Sequence, residues 1–196
     1  METWVIANRT LEFIEDGHIY LCDGQILPSI TQILKIKFGG KYEGIDAQTL
    51  KNASELGTKM HLAIQEFEEK GVESDLVELR NYKFLKRQYE WNVIECETPV
   101  ILFVDDEPFA CGRVDMVAMI DDKVGIFDFK RTSTLDKNYL AYQLNLYRIA
   151  YRQTYGIEAD FLRAIHLRED TRKFVNIPVN EPLAMDLVYE YMRGAT

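Results

Sequence analysis

Asp115, Asp128 and Lys130 combine two carboxylates with an ammonium, and their spacing lets one strand hairpin present all three together. Residues 111–120 are rich in β-formers, as are 123–130, and only Asp121 and Asp122 separate them. A two-residue polar loop closes hairpins. It pairs Ile120 with Lys123, and counting back along that ladder sets Asp115 opposite Asp128. Side chains alternate along a strand, so Lys130 shares the face of Asp128, with Val117, Met119, Val124 and Ile126. The other face, Val114, Met116, Ala118 and Ile120 against Gly125, Phe127 and Phe129, is also mostly apolar, which implies a sheet buried on both sides. Two carboxylates facing each other at the end of such a sheet repel and are costly to desolvate. A cation between them removes that cost, and hard divalent ions take oxygen ligands. The arrangement reads as a metal site; the plainer alternative is a solvated strand edge with an incidental acid opposite.

The elements around this hairpin can be read from turn and cap signals. Residues 11–15 and 18–22 flank Asp16-Gly17, a hairpin signal, and Asp23-Gly24 turns the chain again. Pro28-Ser29 opens a short helix with Ser29 and Gln32 spaced as a capping box, and Phe38-Gly39-Gly40 ends it. The spacing predicts a helix over 47–70, with Leu56, Met60, Ala63 and Phe67 as its apolar stripe and Gly71 just past its end. A second helix is expected over 75–89. Residues 93–104 supply one or two strands, and 105–108 turn into the central hairpin. A helix over 139–155 is capped by Gly156, 161–167 and 171–177 form a further strand pair, and 181–193 a last helix. The expected fold is α/β (α+β), a small mixed central sheet flanked by helices on both faces. It forms one domain over 1–196: 1–45 as a candidate N-terminal appendage, 47–178 as the core and 181–193 as the C-terminal helix.

Composition narrows the function classes. At 196 residues, 47% hydrophobic and 28% charged, the chain can bury one sizeable core like an ordinary soluble domain. No stretch reaches the roughly 18 apolar residues of a membrane span, and no basic n-region opens the chain, so a cytoplasmic, membrane-free protein is expected. Cys22, Cys96 and Cys111 are odd in number and widely spaced, which predicts reduced core thiols, with neither a disulfide framework nor an iron–sulfur cluster. The net charge of −9 argues against a freestanding nucleic-acid binder but leaves room for an acidic metal site with local basic patches. Arg80, Lys83, Lys86 and Arg87 offer one such patch, with Arg80, Lys83 and Arg87 on one helical face, although an ordinary solvated face is the plainer reading of that run.

Three further features carry little singly. His61 lies on the first long helix one position off its stripe, where a packed boundary histidine is the ordinary reading. Gln143 and Tyr147 stand one helical turn apart, and Tyr151 continues their line, as core aromatics often do. Gly112 stands three residues before Asp115, where a close backbone approach would require the missing side chain.

In order, Gly-x-x-x-His (Gly57, His61), Gly-x-x-Asp (Gly112, Asp115), Asp-x-Lys (Asp128, Lys130) and Gln-x-x-x-Tyr (Gln143, Tyr147) resemble the PD-(D/E)XK nuclease superfamily, in its RecB-like branch with phage exonucleases. His18-x-Tyr20 and residues 27–34 are similar to segments of phage-encoded members. The motifs span about half the chain. The resemblance implies a restriction-endonuclease-like core and a DNA nuclease dependent on Mg²⁺ or Mn²⁺. Asp115 and Asp128 would bind the metal, with His61 and the Phe129 carbonyl completing its shell. Lys130 would position or activate the attacking water and stabilise charge on the phosphate, and Gln143 and Tyr147 would support Lys130 or the nucleic-acid backbone. DNA is the implied partner, with room for a recombination or single-strand-annealing protein and for a homo-oligomer. The four cysteines of cluster-bearing relatives are missing, as is any helicase motor. Two rival readings stay open: an inactive nucleic-acid-binding or assembly module that kept the fold, and a structural metalloprotein. Lys130 argues against the second, because a cation beside a purely structural ion weakens its binding.

Overall fold

The computed structural model describes residues 1–42 and 44–194. Four N-terminal strands, β1 (Glu2–Ile6), β2 (Arg9–Ile14), β3 (Ile19–Cys22) and β4 (Gln25–Leu27), form an antiparallel meander. Helix α1 (Ile30–Phe38) follows, then a 3-10 turn (Gly39–Tyr42), α2 (Ala47–Lys70) and α3 (Val77–Tyr89). The second sheet is ordered β5 (Asn92–Val104), β6 (Glu107–Ile120), β7 (Lys123–Lys130), β8 (Phe161–Leu167) and β9 (Arg172–Ile177). Its pairs are antiparallel except β7 with β8, which run parallel because α4 (Lys137–Tyr155) crosses between them. Helix α5 (Glu181–Gly194) closes the described chain. This is the mixed α/β arrangement expected.

Local chemistry sets the boundaries. Ser29 and Gln32 form the capping box reciprocally, the Ser29 side chain accepting from the Gln32 amide and the Gln32 side chain from the Ser29 amide. Asp46 caps α2 by accepting from the Thr49 amide, and Gly71 ends it in the left-handed region. Asp136 caps α4 through the Tyr139 amide. Asp121 and Asp122 both take positive φ, 48° and 60°, as a tight two-residue hairpin turn demands, and Ile120 pairs with Lys123.

The five-stranded sheet is buried on both faces. One face, with Val117, Ile126 and Ala164, packs against α1, α4 and α5; the other, with Met116, Ala118, Phe127 and Phe129, packs against α2 and α3. The meander joins this core through a third cluster in which Leu11, Phe13, Tyr20 and Cys22 meet Ile101 and Cys111. The Cys111 amide also donates to the Pro28 carbonyl at 3.0 Å. The meander thus packs directly on β5 and β6.

Several expectations change. Strands β1 and β4 had no clear sequence signal, because β4 is three residues long and Val5 and Ile26 face solvent. The buried stripe of α2 is Met60, Ala63 and Ile64, with Leu56 exposed. The basic face of α3 is partly neutralised, Lys83 pairing with Glu73 and Lys86 with Glu68. All three thiols are free and buried, and Cys22 and Cys111 share one cluster despite their separation in sequence. No helix among the described residues is long and apolar enough to cross a membrane.

Candidate active site

Strands β5, β6 and β7 and helix α2 meet around Asp115. The β6–β7 ladder runs from Ile120 and Lys123 to Met116 and Phe127, and stops one step short of Asp115 and Asp128. There the strands part. The Phe129 amide donates to Asp115 Oδ2 at 2.7 Å, so a side chain takes the place of a backbone acceptor. The Asp115–Asp128 pairing expected from the hairpin thus falls just beyond the last bridged pair.

Into this opening α2 brings His61. Its Nε2 lies 3.2 Å from the Phe129 carbonyl, and its Nδ1 lies 3.7 Å from Asp115 Oδ1 and 3.8 Å from Glu97 Oε1. Glu97 comes from β5, where Cys96 pairs with Met116 and Thr98 with Val114, which sets Glu97 across from Asp115. His61, Glu97 and Asp115 each offer a ligand atom, all within 4.8 Å of one another. Ligand bonds to a divalent ion run about 2.0–2.6 Å, so one ion can span such a group. An Nε2–H donated to the Phe129 carbonyl leaves the Nδ1 lone pair for a metal, the usual way an outer partner fixes a ligating imidazole. The carbonyl expected as a ligand is thereby engaged in orienting His61.

Asp128 and Lys130 sit beside this group as an ion pair. Lys130 Nζ donates to Asp128 Oδ1 at 2.7 Å and lies 2.6 Å from Oδ2, at an angle that leaves Oδ2 buried without a hydrogen bond. Burial works against charge throughout. It pushes the Asp128 carboxyl up to about 6 against the pull of Lys130, and raises Asp115 against His61 and Lys130. For the two cations burial acts downward but the acids outweigh it, holding His61 at about 9 and Lys130 above its ordinary value. The acids therefore already hold an imidazolium and an ammonium, which is how an acidic cluster built for a cation settles without one.

The other expected residues converge on the same place. A cleft of about 190 Å³ is lined by His61, Glu97, Asp115 and Tyr147, and by His18 and Tyr20 of the meander. A second, of about 250 Å³, is lined by Lys130, Thr132 and Tyr139. Thr31 and Gln143 border both, so the two form one groove across the candidate centre. Gln143 is buried and its Oε1 has no hydrogen-bond partner among the described residues. A Cβ on Gly112 would stand 2.8 Å from Tyr147 Cε1, so what approaches closely there is an aromatic ring and not the backbone expected. A Cβ on Gly57 would meet nothing within 4 Å, and Tyr151 is core. Gly57 thus has no steric role, whatever its place in the motif.

Glu97, Arg113 and His166 escaped the sequence reading. His166 pairs across the sheet with Lys130 and its Nε2 lies 2.6 Å from the Thr132 carbonyl, which ties down the chain leaving Lys130. Arg113 lies 3.4 Å from Glu97. The signal for Glu97 was the β5–β6 hairpin, but its turn alone gives the wrong register.

No family model and no curated protein matches the chain. Among solved structures, one described as "Crystal structure of SSO0001" is 15% identical, with 86% of this chain and 76% of that chain covered and a TM-score of 0.46. A likeness of that size adds no weight to either fold or function.

Proposed function

We propose that this protein is a divalent-metal-dependent DNA nuclease that hydrolyses phosphodiester bonds, an exonuclease of a phage or mobile element acting in recombination or DNA processing. The observation that carries the reading is the compact His61–Glu97–Asp115 group beside the buried Lys130–Asp128 pair. Two carboxylates and an imidazole suit Mn²⁺ at least as well as Mg²⁺, which prefers oxygen. A bound ion would supply a water of lowered pKa and shield the phosphate.

The protein's own residues account for the rest. His61, Glu97 and Asp115 would hold the ion, and Phe129 serves two of them: its carbonyl orients His61 and its amide orients Asp115. Lys130 stays protonated, so it acts as a cation and hydrogen-bond donor toward the phosphate and not as a base. Asp128, itself buried, holds that ammonium at the edge of the groove. Gln143, between the two halves of the groove, offers an amide to the strand that lies along it.

The inactive-module reading draws its support from the net charge of −9, which gives little general attraction to DNA. An end-labelled DNA incubated with Mn²⁺ or Mg²⁺ separates the two. Products that need the cation support the nuclease, and intact DNA under every cation tested supports the module.

A further inference from the structure

Arg113 stands two residues before Asp115 on β6 and reaches both the candidate metal group and the N-terminal meander. Its Nε lies 3.4 Å from Glu97 Oε2, while Glu97 Oε1 is the oxygen nearer His61. Three strands hold its other side. Nη1 donates to Glu2 on β1 at 3.1 Å, the guanidinium lies 4.6 Å from the centre of the Phe13 ring on β2, and Tyr20 on β3 interacts with it as well. Glu97 needs such support. Its φ is 50°, in the left-handed region that residues other than glycine keep only when their surroundings hold them there.

We infer that Arg113 is a positioning residue that turns the Glu97 carboxylate into the metal group, with strands β1, β2 and β3 as its fixed support. The inference rests on the metal-site reading above. It makes the meander part of the centre's architecture, although no strand of the meander supplies a ligand. A guanidinium suits the task because its planar fork can hold a carboxylate oxygen and a second acid at once, here Glu97 and Glu2, while stacking on a ring. If Arg113 acted only as a nearby charge, it would repel the metal, and a variant that keeps the charge would leave binding unchanged.

The test is calorimetric titration of the full chain with Mn²⁺ alone. Arg113→Lys keeps the charge and loses the fork, so a pure charge effect predicts no change. Positioning predicts Mn²⁺ binding about tenfold weaker, within the 10–100-fold typical of residues that orient metal ligands. In a Glu97→Gln background the same change should cost nothing further, because the carboxylate it orients is gone. Glu2→Gln, at an exposed strand end, should weaken Mn²⁺ in the same direction by a smaller factor and cost nothing further in the Glu97→Gln background, which a bare charge effect would not do, so this pair carries the test if Arg113→Lys does not fold. Unchanged or tighter Mn²⁺ binding in Arg113→Lys, or an undiminished loss in the Glu97→Gln background, overturns the inference and leaves the metal site standing. A wild-type protein that binds no Mn²⁺ overturns both.

Discussion

Glu97 and Lys130 mark the two halves of the candidate centre, one on the metal side and one on the phosphate side, and substitutions at them should separate binding from chemistry. Glu97→Gln and Asp115→Asn each remove an anionic ligand from the three-residue group, so each should weaken Mn²⁺ and abolish measurable cleavage while leaving the fold intact. His61→Ala should also weaken Mn²⁺; unchanged affinity, read by calorimetry, returns His61 to the role of a packed boundary residue. Lys130→Ala should bind Mn²⁺ at least as well as the wild type and lose cleavage by about 10²–10³, the usual cost of one transition-state donor. Single-turnover kinetics on the same preparation read both. Lys130→Arg should recover little, since the planar fork is bulkier than an ammonium and cannot reproduce its contact with Asp128. At this scale Asp115, Asp128, Lys130 and His61 were legible because residue type and short spacing carry their signal. Asp128 differs in placement: Lys130 holds it, and it stands outside the compact ligand group.

Elements explain what the sequence hid. The β6–β7 hairpin was legible because its two-residue turn fixes the register, and the ladder holds as far as Met116 and Phe127. The turn at Asp105-Asp106 pairs Val104 with Glu107, and that register carried inward would set Cys96 across from Asp115. A bulge between Leu102 and Phe103 shifts the ladder by one residue and brings Glu97 there instead. No residue type announces that bulge, so the third candidate ligand emerges only in three dimensions. The Gly112 expectation concerned space, and space was found, filled by Tyr147 from α4. Gly112→Ala should therefore destabilise by about 1–3 kcal/mol through overpacking, as measured by urea unfolding. Gly57→Ala provides the contrast. Its Cβ meets nothing within 4 Å in the interior of α2, so it should stabilise by about 0.5–1 kcal/mol and leave cleavage unchanged. Ser29→Ala breaks the capping box that starts α1 and should cost about 1 kcal/mol.

Across the whole molecule, a sheet covered on both faces fixes β5, β6 and β7 rigidly, and the parting of β6 from β7 makes the opening that α2 fills with His61. The layered arrangement was legible from the alternation of apolar faces. The packing of the meander was not, because β1 and β4 are short and half exposed and the contacts that seat them run to Ile101 and Cys111, far along the chain. With a net charge of −9 the molecule has little long-range attraction for DNA, so on the proposed reading engagement would have to come from the groove and a cation held there. The central claim is that this groove is a metal-dependent catalytic centre, and single-turnover cleavage of end-labelled DNA by the wild type and by Asp115→Asn, each with Mn²⁺ and with EDTA, tests it most directly. The wild type with Mn²⁺ should cut, and the other three reactions should leave the DNA whole. Cleavage by the wild type in EDTA, or by Asp115→Asn at the wild-type rate, would contradict the account.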